Sequence, residues 1–159
     1  MKILVISDSH GNRSAVKSVF ERMENSFDIA VHLGDGEDDL FPVKEKYPDI
    51  RIIQARGNCD IRPHPLSQII ETEGGNIFVT HGHMYGVKGG LGGLASAAYL
   101  SGCKIALFGH THCRHESRED GIYLINPGSC AIPHDGLPPS FGVLTVEKTG
   151  ILFKFMDVK

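Results

Sequence analysis

The chain has 159 residues, 41% of them apolar and 22% charged, a balance that suits one compact core and excludes wholesale disorder and fibrous repeats. Sixteen Lys and Arg stand against nineteen Asp and Glu, so there is no basic excess to neutralise a long nucleic acid or an anionic membrane surface. No apolar run approaches the roughly 20 residues that cross a bilayer, and the expectation is a cytoplasmic protein with residues 1–159 as a single domain.

The opening run Met1 to Ile6 is short and rich in β-branched residues, as a buried strand is, and it stops at Ser7-Asp8-Ser9-His10-Gly11. Asn12 or Ser14 then caps a helix whose apolar positions Val16, Val19, Phe20 and Met23 recur at three- and four-residue spacing. The pattern returns with a strand from Ile29 to Leu33, the loop Gly34-Asp35-Gly36, and a helix near Asp38 to Tyr47 closed by Pro48. A third strand, Ile50 to Ala55, ends at Arg56-Gly57-Asn58-Cys59-Asp60. Beyond a Pro-containing connector, Gln68 to Thr72 and Asn76 to Thr80 flank Gly74-Gly75 as a hairpin, and the second run ends in His81-Gly82-His83. A Gly-rich stretch leads into a helix from Leu94 to Leu100, and strand Ile105 to Phe108 delivers Gly109-His110-Thr111-His112. Asp120-Gly121 turns a hairpin into Ile122 to Ile125, followed by Asn126-Pro127-Gly128-Ser129. Two strands, Phe141 to Val146 and Ile151 to Met156, close the chain. Alternating strands and helices followed by hairpins predict a mixed α/β (α+β) fold with two sheets flanked by helices.

Nine histidines are present, and six of them fall in or beside these short Gly-containing loops. Four scattered cysteines form no CxxC pair, so neither a thiolate zinc site nor a redox motif is written here. Taken one at a time, each Asp, Asn or His has an ordinary explanation as a turn or cap residue. Their recurrence on five strand ends does not, because the loops at the carboxyl ends of parallel strands gather on one edge. Imidazole nitrogen with carboxylate or amide oxygen is the donor set of Mn, Fe, Co, Zn or Ni. There are too many donors for one four-coordinate ion; two metals sharing a carboxylate would use them all, and Asp35, alone on its loop, is the natural bridge.

The ordered motifs Asp8-Ser9-His10, Gly34-Asp35, Gly57-Asn58-Cys59-Asp60, His81-Gly82-His83 and Gly109-His110-Thr111-His112 resemble the calcineurin-like metallophosphoesterase superfamily over residues 3–129. The short length, Cys59 after Gly-Asn and the later Asn126 to Ser129 are similar to its small phosphodiesterase branch of bacteria and archaea. The resemblance implies a four-layer αββα sandwich. It also implies that Asp8, His10 and His112 hold one metal, that Asn58, His81 and His110 hold the second, and that Asp35 bridges. A bridging hydroxide would then attack phosphorus, so that Asp35, Asn58 and His81 act in catalysis through it. Two divalent ions are expected, Mn2+ first, with Ni2+, Fe2+, Zn2+ or Co2+ as alternatives. His83 matches a less constant position; with Asn126 and Ser129 it is expected to orient ligands or touch substrate. Cys59 stands where many members carry a His that protonates the leaving group, so it is a candidate catalytic residue that favours activated leaving groups.

Charge favours a diester. Two divalent cations with Asp8 and Asp35 leave two positive charges, which a hydroxide and a phosphodiester monoanion cancel, whereas a monoester dianion leaves one negative charge over. The expected partner is a small phosphate ester, with no long nucleic acid and no membrane. The alternatives are a phosphomonoesterase with the same site and a non-catalytic, protein-binding scaffold of the same fold. The final hairpin offers an edge strand through which copies could form a homo-oligomer.

Overall fold

A computed structural model describes residues 1–159. Strand β1 (Lys2–Ile6), helix α1 (Arg13–Arg22) and strand β2 (Ile29–His32) form the expected first β-loop-α-β unit. The side-chain oxygen of Asn12 caps α1 by accepting the Ala15 N–H at 3.0 Å, and Val16, Val19 and Phe20 are the buried face of that helix. The helix expected near Asp38 to Tyr47 is divided: a 3-10 turn, Glu37–Leu40, precedes a short α2, Phe41–Lys46. Pro42 is the reason, since it has no N–H to give to a preceding turn and is tolerated only where a helix begins. Strand β3 is Ile52–Gln54.

The next hairpin joins β4 (Ser67–Ile70) to β5 (Asn76–Thr80). Its first strand stops at Ile70 rather than Thr72 because Thr72 already belongs to the turn, where its carbonyl accepts from Gly75 N–H and its hydroxyl donates to Gly75 O. Helix α3 (Gly92–Leu100) leads to β6 (Cys103–Leu107). The segment β7 (Arg114–Glu119) pairs with β8 (Ile122–Pro127) through the expected Asp120-Gly121 turn. Its sequence, RHESRE, carries no apolar alternation because β7 lies at a sheet edge. The last hairpin is β9 (Ser140–Glu147) with β10 (Gly150–Asp157).

Two five-stranded mixed sheets result, in the orders β10-β9-β1-β2-β3 and β4-β5-β6-β8-β7. Alternation along β1 shows how they stack: Ile3 and Val5 enter a core between the sheets with Ile77, Ile105 and Leu144, while Leu4 and Ile6 face the other way onto Val16, Phe20 and Val43. On the far side, Phe78, Ala106 and Leu124 pack against Leu94 and Ala98 of α3. The layers therefore run α-β-β-α, as expected. Strands β1, β2 and β3 are mutually parallel, as are β5, β6 and β8, and the loops after five of these six carry the His, Asp and Asn motifs. Strand β10 is an edge strand, and no helix is long and apolar enough to cross a membrane.

Candidate metal centre

Backbone conformation marks the site before any side chain does. Seven non-glycine residues have positive φ, and five of them are Asp8 (53°), His10 (42°), Asp35 (56°), His110 (69°) and His112 (58°). L-residues adopt this region at a cost, and it persists only where the surroundings over-determine it. Here the loops tie one another down: Asp8 N–H donates to Gly34 O at 3.1 Å, His10 N–H to Asp35 O at 2.9 Å, and Gly109 N–H to His81 O at 3.0 Å. The two sheets are stitched by the Asp8 carboxylate, whose Oδ2 accepts from Ser7 Oγ at 2.6 Å and from His110 N–H at 3.1 Å.

These loops bring the sequence-predicted donors together in two trios, Asp8 with His10 and His112, and Asp35 with His81 and His110, each with its ligand atoms within 4.8 Å of one another. His10 Nε2 and His112 Nε2 face each other at 3.1 Å. Asp35 lies between the trios, its Oδ2 3.7 Å from His10 Nε2 and 3.4 Å from His81 Nε2. Asn58 Oδ1 is 3.1 Å from His81 Nε2, on the side of the second trio.

Ring orientation favours cation binding. His81 Nδ1 is 2.7 Å from Leu33 O and His112 Nδ1 is 2.8 Å from Ile132 O. A carbonyl can only accept, so in both rings Nδ1 carries the proton and the Nε2 lone pair points into the cluster. Asp8 is fully buried, yet its Oδ1 has no donor; the His112 Nε2 beside it at 3.3 Å offers none while that ring is neutral. Such an orphaned buried acceptor is costly unless a cation meets it.

The same logic appears in the proton affinities. Burial alone would raise the Asp8 and Asp35 carboxyls, but His112 and His81 outweigh it and hold both below their usual range. In return, Asp35 and Asp8 overcome burial to raise His81, and Asp8 raises His112. His110, half-buried and close to the positive charge of His81 and Lys88, is pushed down to about 4 and stays neutral. Bare, the chain offsets its two carboxylates with imidazole protons; divalent cations would do so without them. The residues present therefore fit metal ions.

The remaining candidates take different places. Asn126 is fully buried and donates to Gly109 O at 2.9 Å and Thr111 Oγ1 at 3.0 Å, bracing the loop that carries His110 and His112. Ser129, equally buried, donates to Asp8 O at 2.7 Å. The His83 ring lies 5.4 Å from that of His81, with Nδ1 buried and unpartnered. Cys59 is exposed, its N–H donating to Asp35 Oδ1 at 2.8 Å, and burial of the sulfur together with Asp35 raises its thiol.

Two supporting groups escaped the sequence reading. Asp60 accepts four backbone N–H groups, from Asp35, Gly36, Glu37 and Gly57, at 2.7–3.2 Å. Its position three residues after Gly57 was visible, but not its partners on a distant loop. Asp39 is buried and accepts from Ser9 Oγ at 2.6 Å and Gly11 N–H at 2.9 Å, while Ser9 Oγ also meets His32 Nε2 at 3.1 Å. Nothing in the local sequence separates Asp39 from an exposed helix-start acid.

A family model described as the calcineurin-like phosphoesterase superfamily domain matches residues 1–149. The chain belongs to that superfamily. It is 33% identical to a probable metallophosphoesterase, YsnB, of Bacillus subtilis (strain 168), covering 99% of this chain and 91% of the relative. It is 30% identical to the phosphodiesterase YfcE of Escherichia coli (strain K12), covering 96% and 91%. The crystal structure of a predicted phosphoesterase from Streptococcus pneumoniae TIGR4 superposes with a TM-score of 0.85 at 27% identity, over 99% of this chain and 89% of that one. The expected superfamily and architecture both hold, and the family is metal-dependent.

Proposed function

We propose that this superfamily member is a dinuclear, metal-dependent phosphodiesterase that hydrolyses small phosphodiesters. The observation that carries the reading is the position of Asp35, one carboxylate facing His10 of the first trio and His81 of the second. Asp8, His10, His112 and Asp35 would hold one divalent cation, and Asp35, Asn58, His81 and His110 the other. Such a pair of cations supplies Lewis-acid activation of water and neutralises charge developing on the phosphoryl oxygens. Mn2+ suits the nitrogen and oxygen donors best.

The chain's own residues supply the rest. Leu33 O and Ile132 O fix the tautomers of His81 and His112, so both rings present lone pairs. Asp8 and Asp35 set the charge so that a diester monoanion, rather than a monoester dianion, completes neutrality. A cavity of about 570 Å³ opens beside His10, Asp35 and Cys59, and Arg13, Glu37 and Asp38 line it with charges of both signs. A non-catalytic scaffold has no need to gather two trios of metal-competent donors on one edge.

The test strips the protein with chelator, restores single ions by dialysis, counts bound equivalents, and assays bis(p-nitrophenyl) phosphate against p-nitrophenyl phosphate. Activity should vanish, return with two equivalents per chain, and favour the diester. Activity that survives chelation sinks the metal mechanism, and preference for the monoester replaces the diester reading with its alternative.

A further inference from the structure

Besides the two trios, a third group of donors converges on the same edge. Cys59 Sγ, a ring nitrogen of His10 and an Asp35 carboxylate oxygen lie within 4.8 Å of one another. We propose that this set is an inhibitory site for thiophilic cations such as Zn2+ or Cd2+, sharing His10 and Asp35 with the catalytic cluster. The inference rests on the reading that the cluster binds cations and adds to it a third, sulfur-containing donor set.

Three observations point to the site. Cys59 is anchored to the carboxylate it would share, since its N–H donates to Asp35 Oδ1 at 2.8 Å. Its sulfur meets Asn58 Nδ2 at 3.4 Å and also the Asp35 carboxylate, so the exposed thiol already faces the acid it would share. The neighbourhood also calls for positive charge: the donorless, fully buried Asp8 Oδ1 is 3.9 Å from Nε2 of His10, the ring Cys59 would share. Around a tetrahedral zinc, with sulfur at ~2.3 Å and nitrogen or oxygen at ~2.0–2.2 Å, donor atoms sit ~3.3–3.7 Å apart. Rotation of Cys59 closes the remaining gap.

Selectivity follows from the sulfur. A thiolate strengthens binding of zinc-group ions far more than of Mn2+. As the sulfur–metal bond forms, the S–H bond breaks and the proton passes to solvent; nothing is oxidised or reduced. Because His10 would be drawn from the first trio and Asp35 from the second, the captured ion holds donors away from the catalytic cations. Inhibition should therefore reverse with chelator followed by excess Mn2+. Cys103 and Cys130 are buried and Cys113 lies against Thr111, so none of the other three thiols belongs to this trio.

The experiment titrates metal-free, full-length protein with Cd2+ and reads thiolate-to-metal charge-transfer absorption in the ultraviolet, while Mn2+ uptake is counted separately by equilibrium dialysis. One thiolate–cadmium band per chain is expected in the wild type, retained in Cys113→Ser and lost in Cys59→Ser. In Mn2+-loaded protein, the Zn2+ concentration for half-inhibition should rise by at least about tenfold in Cys59→Ser, each variant measured against its own uninhibited rate. A band that survives Cys59→Ser, or normal Mn2+ uptake with no thiolate band in the wild type, overturns the inference and leaves the phosphodiesterase reading intact. Failure to take up Mn2+ at all removes that reading, and this inference with it.

Discussion

Asp60 accepts the backbone N–H of Asp35 at 2.8 Å, and the same carboxylate oxygen takes the N–H of Gly57 at 2.7 Å. One buried acid thus locks the left-handed turn that aims Asp35 to the loop that carries Asn58 and Cys59. Four N–H donors converge on its two oxygens, which explains a carboxyl held below its usual range although burial pushes it up. Asp60→Asn replaces one oxygen by an NH2 group that faces N–H groups. We expect a loss of about 2–4 kcal/mol in urea unfolding, with Mn2+ binding weaker by roughly 10- to 100-fold in calorimetry. Destabilisation with unchanged Mn2+ affinity would make Asp60 a structural clamp with no influence on the metal centre.

Gly57, whose N–H is held by Asp60, also lies hard against the Asp35 carboxylate. A Cβ there would lie 2.0 Å from Asp35 Oδ1 and 2.4 Å from Asp35 N, so Gly57→Ala must displace Asp35. A shift on the order of 1 Å at a group that lies between both trios should lower kcat/KM by about 100-fold. Gly150→Ala, where nothing lies within 4 Å of the added carbon, is the matched control and should leave the rate unchanged. Circular dichroism separates loss of fold from loss of geometry; equal rates for Gly57→Ala and the control would refute the close-approach argument.

Much of this centre was legible in the sequence because its strands are short apolar runs, each broken by a Gly-containing loop. The donors Asp8, His10, Asp35, Asn58, His81, His110 and His112 stand at those breaks, and the parallel topology collects them. The supports were not legible, because their partners are distant in sequence: Asp60 acts across 25 residues on Asp35, and Ser129 across 121 on Asp8. Strand β7 was obscured for a different reason, since an edge strand with polar faces lacks the period that identifies a half-buried one. Pro42 was visible, but the 3-10 turn before α2 also has a distant partner, since the Glu37 N–H donates to Asp60 Oδ1 at 3.2 Å across 23 residues.

Away from the site, Tyr123 on β8 hydrogen-bonds to Glu116 on β7. Burial, reinforced by the Glu116 charge, pushes the phenol up to about 12. The unfolded chain releases this proton near pH 10, so the native state binds more protons between the two values. Stability from this group is complete below pH 10 and is lost as pH rises from there toward about 12. Ultraviolet titration should show one of the four tyrosines ionising late, and Glu116→Gln should move it earlier. Four tyrosines titrating together in the wild type would contradict the assignment.

Cys59 bears on catalysis as well as on metal choice. It sits on the Asp35 side of the cluster, at the mouth of the cavity that would receive the ester group. An imidazole with a reference pKa of about 6.5 transfers a proton at neutral pH more readily than a thiol at about 8.5. The wild type should therefore depend steeply on leaving-group acidity, fast on aryl esters and slow on alkyl ones. Cys59→His should raise kcat/KM on the poorest leaving groups by about 100-fold, within the range of general acid catalysis, while changing aryl esters little. The measurement is a series of diesters of graded leaving-group pKa, with Cys59→Ser beside it to separate a new donor from simple removal of the thiol. Equal gains across the series, or none at the alkyl end, would mean that the proton reaches the leaving oxygen by a route in which residue 59 has no part.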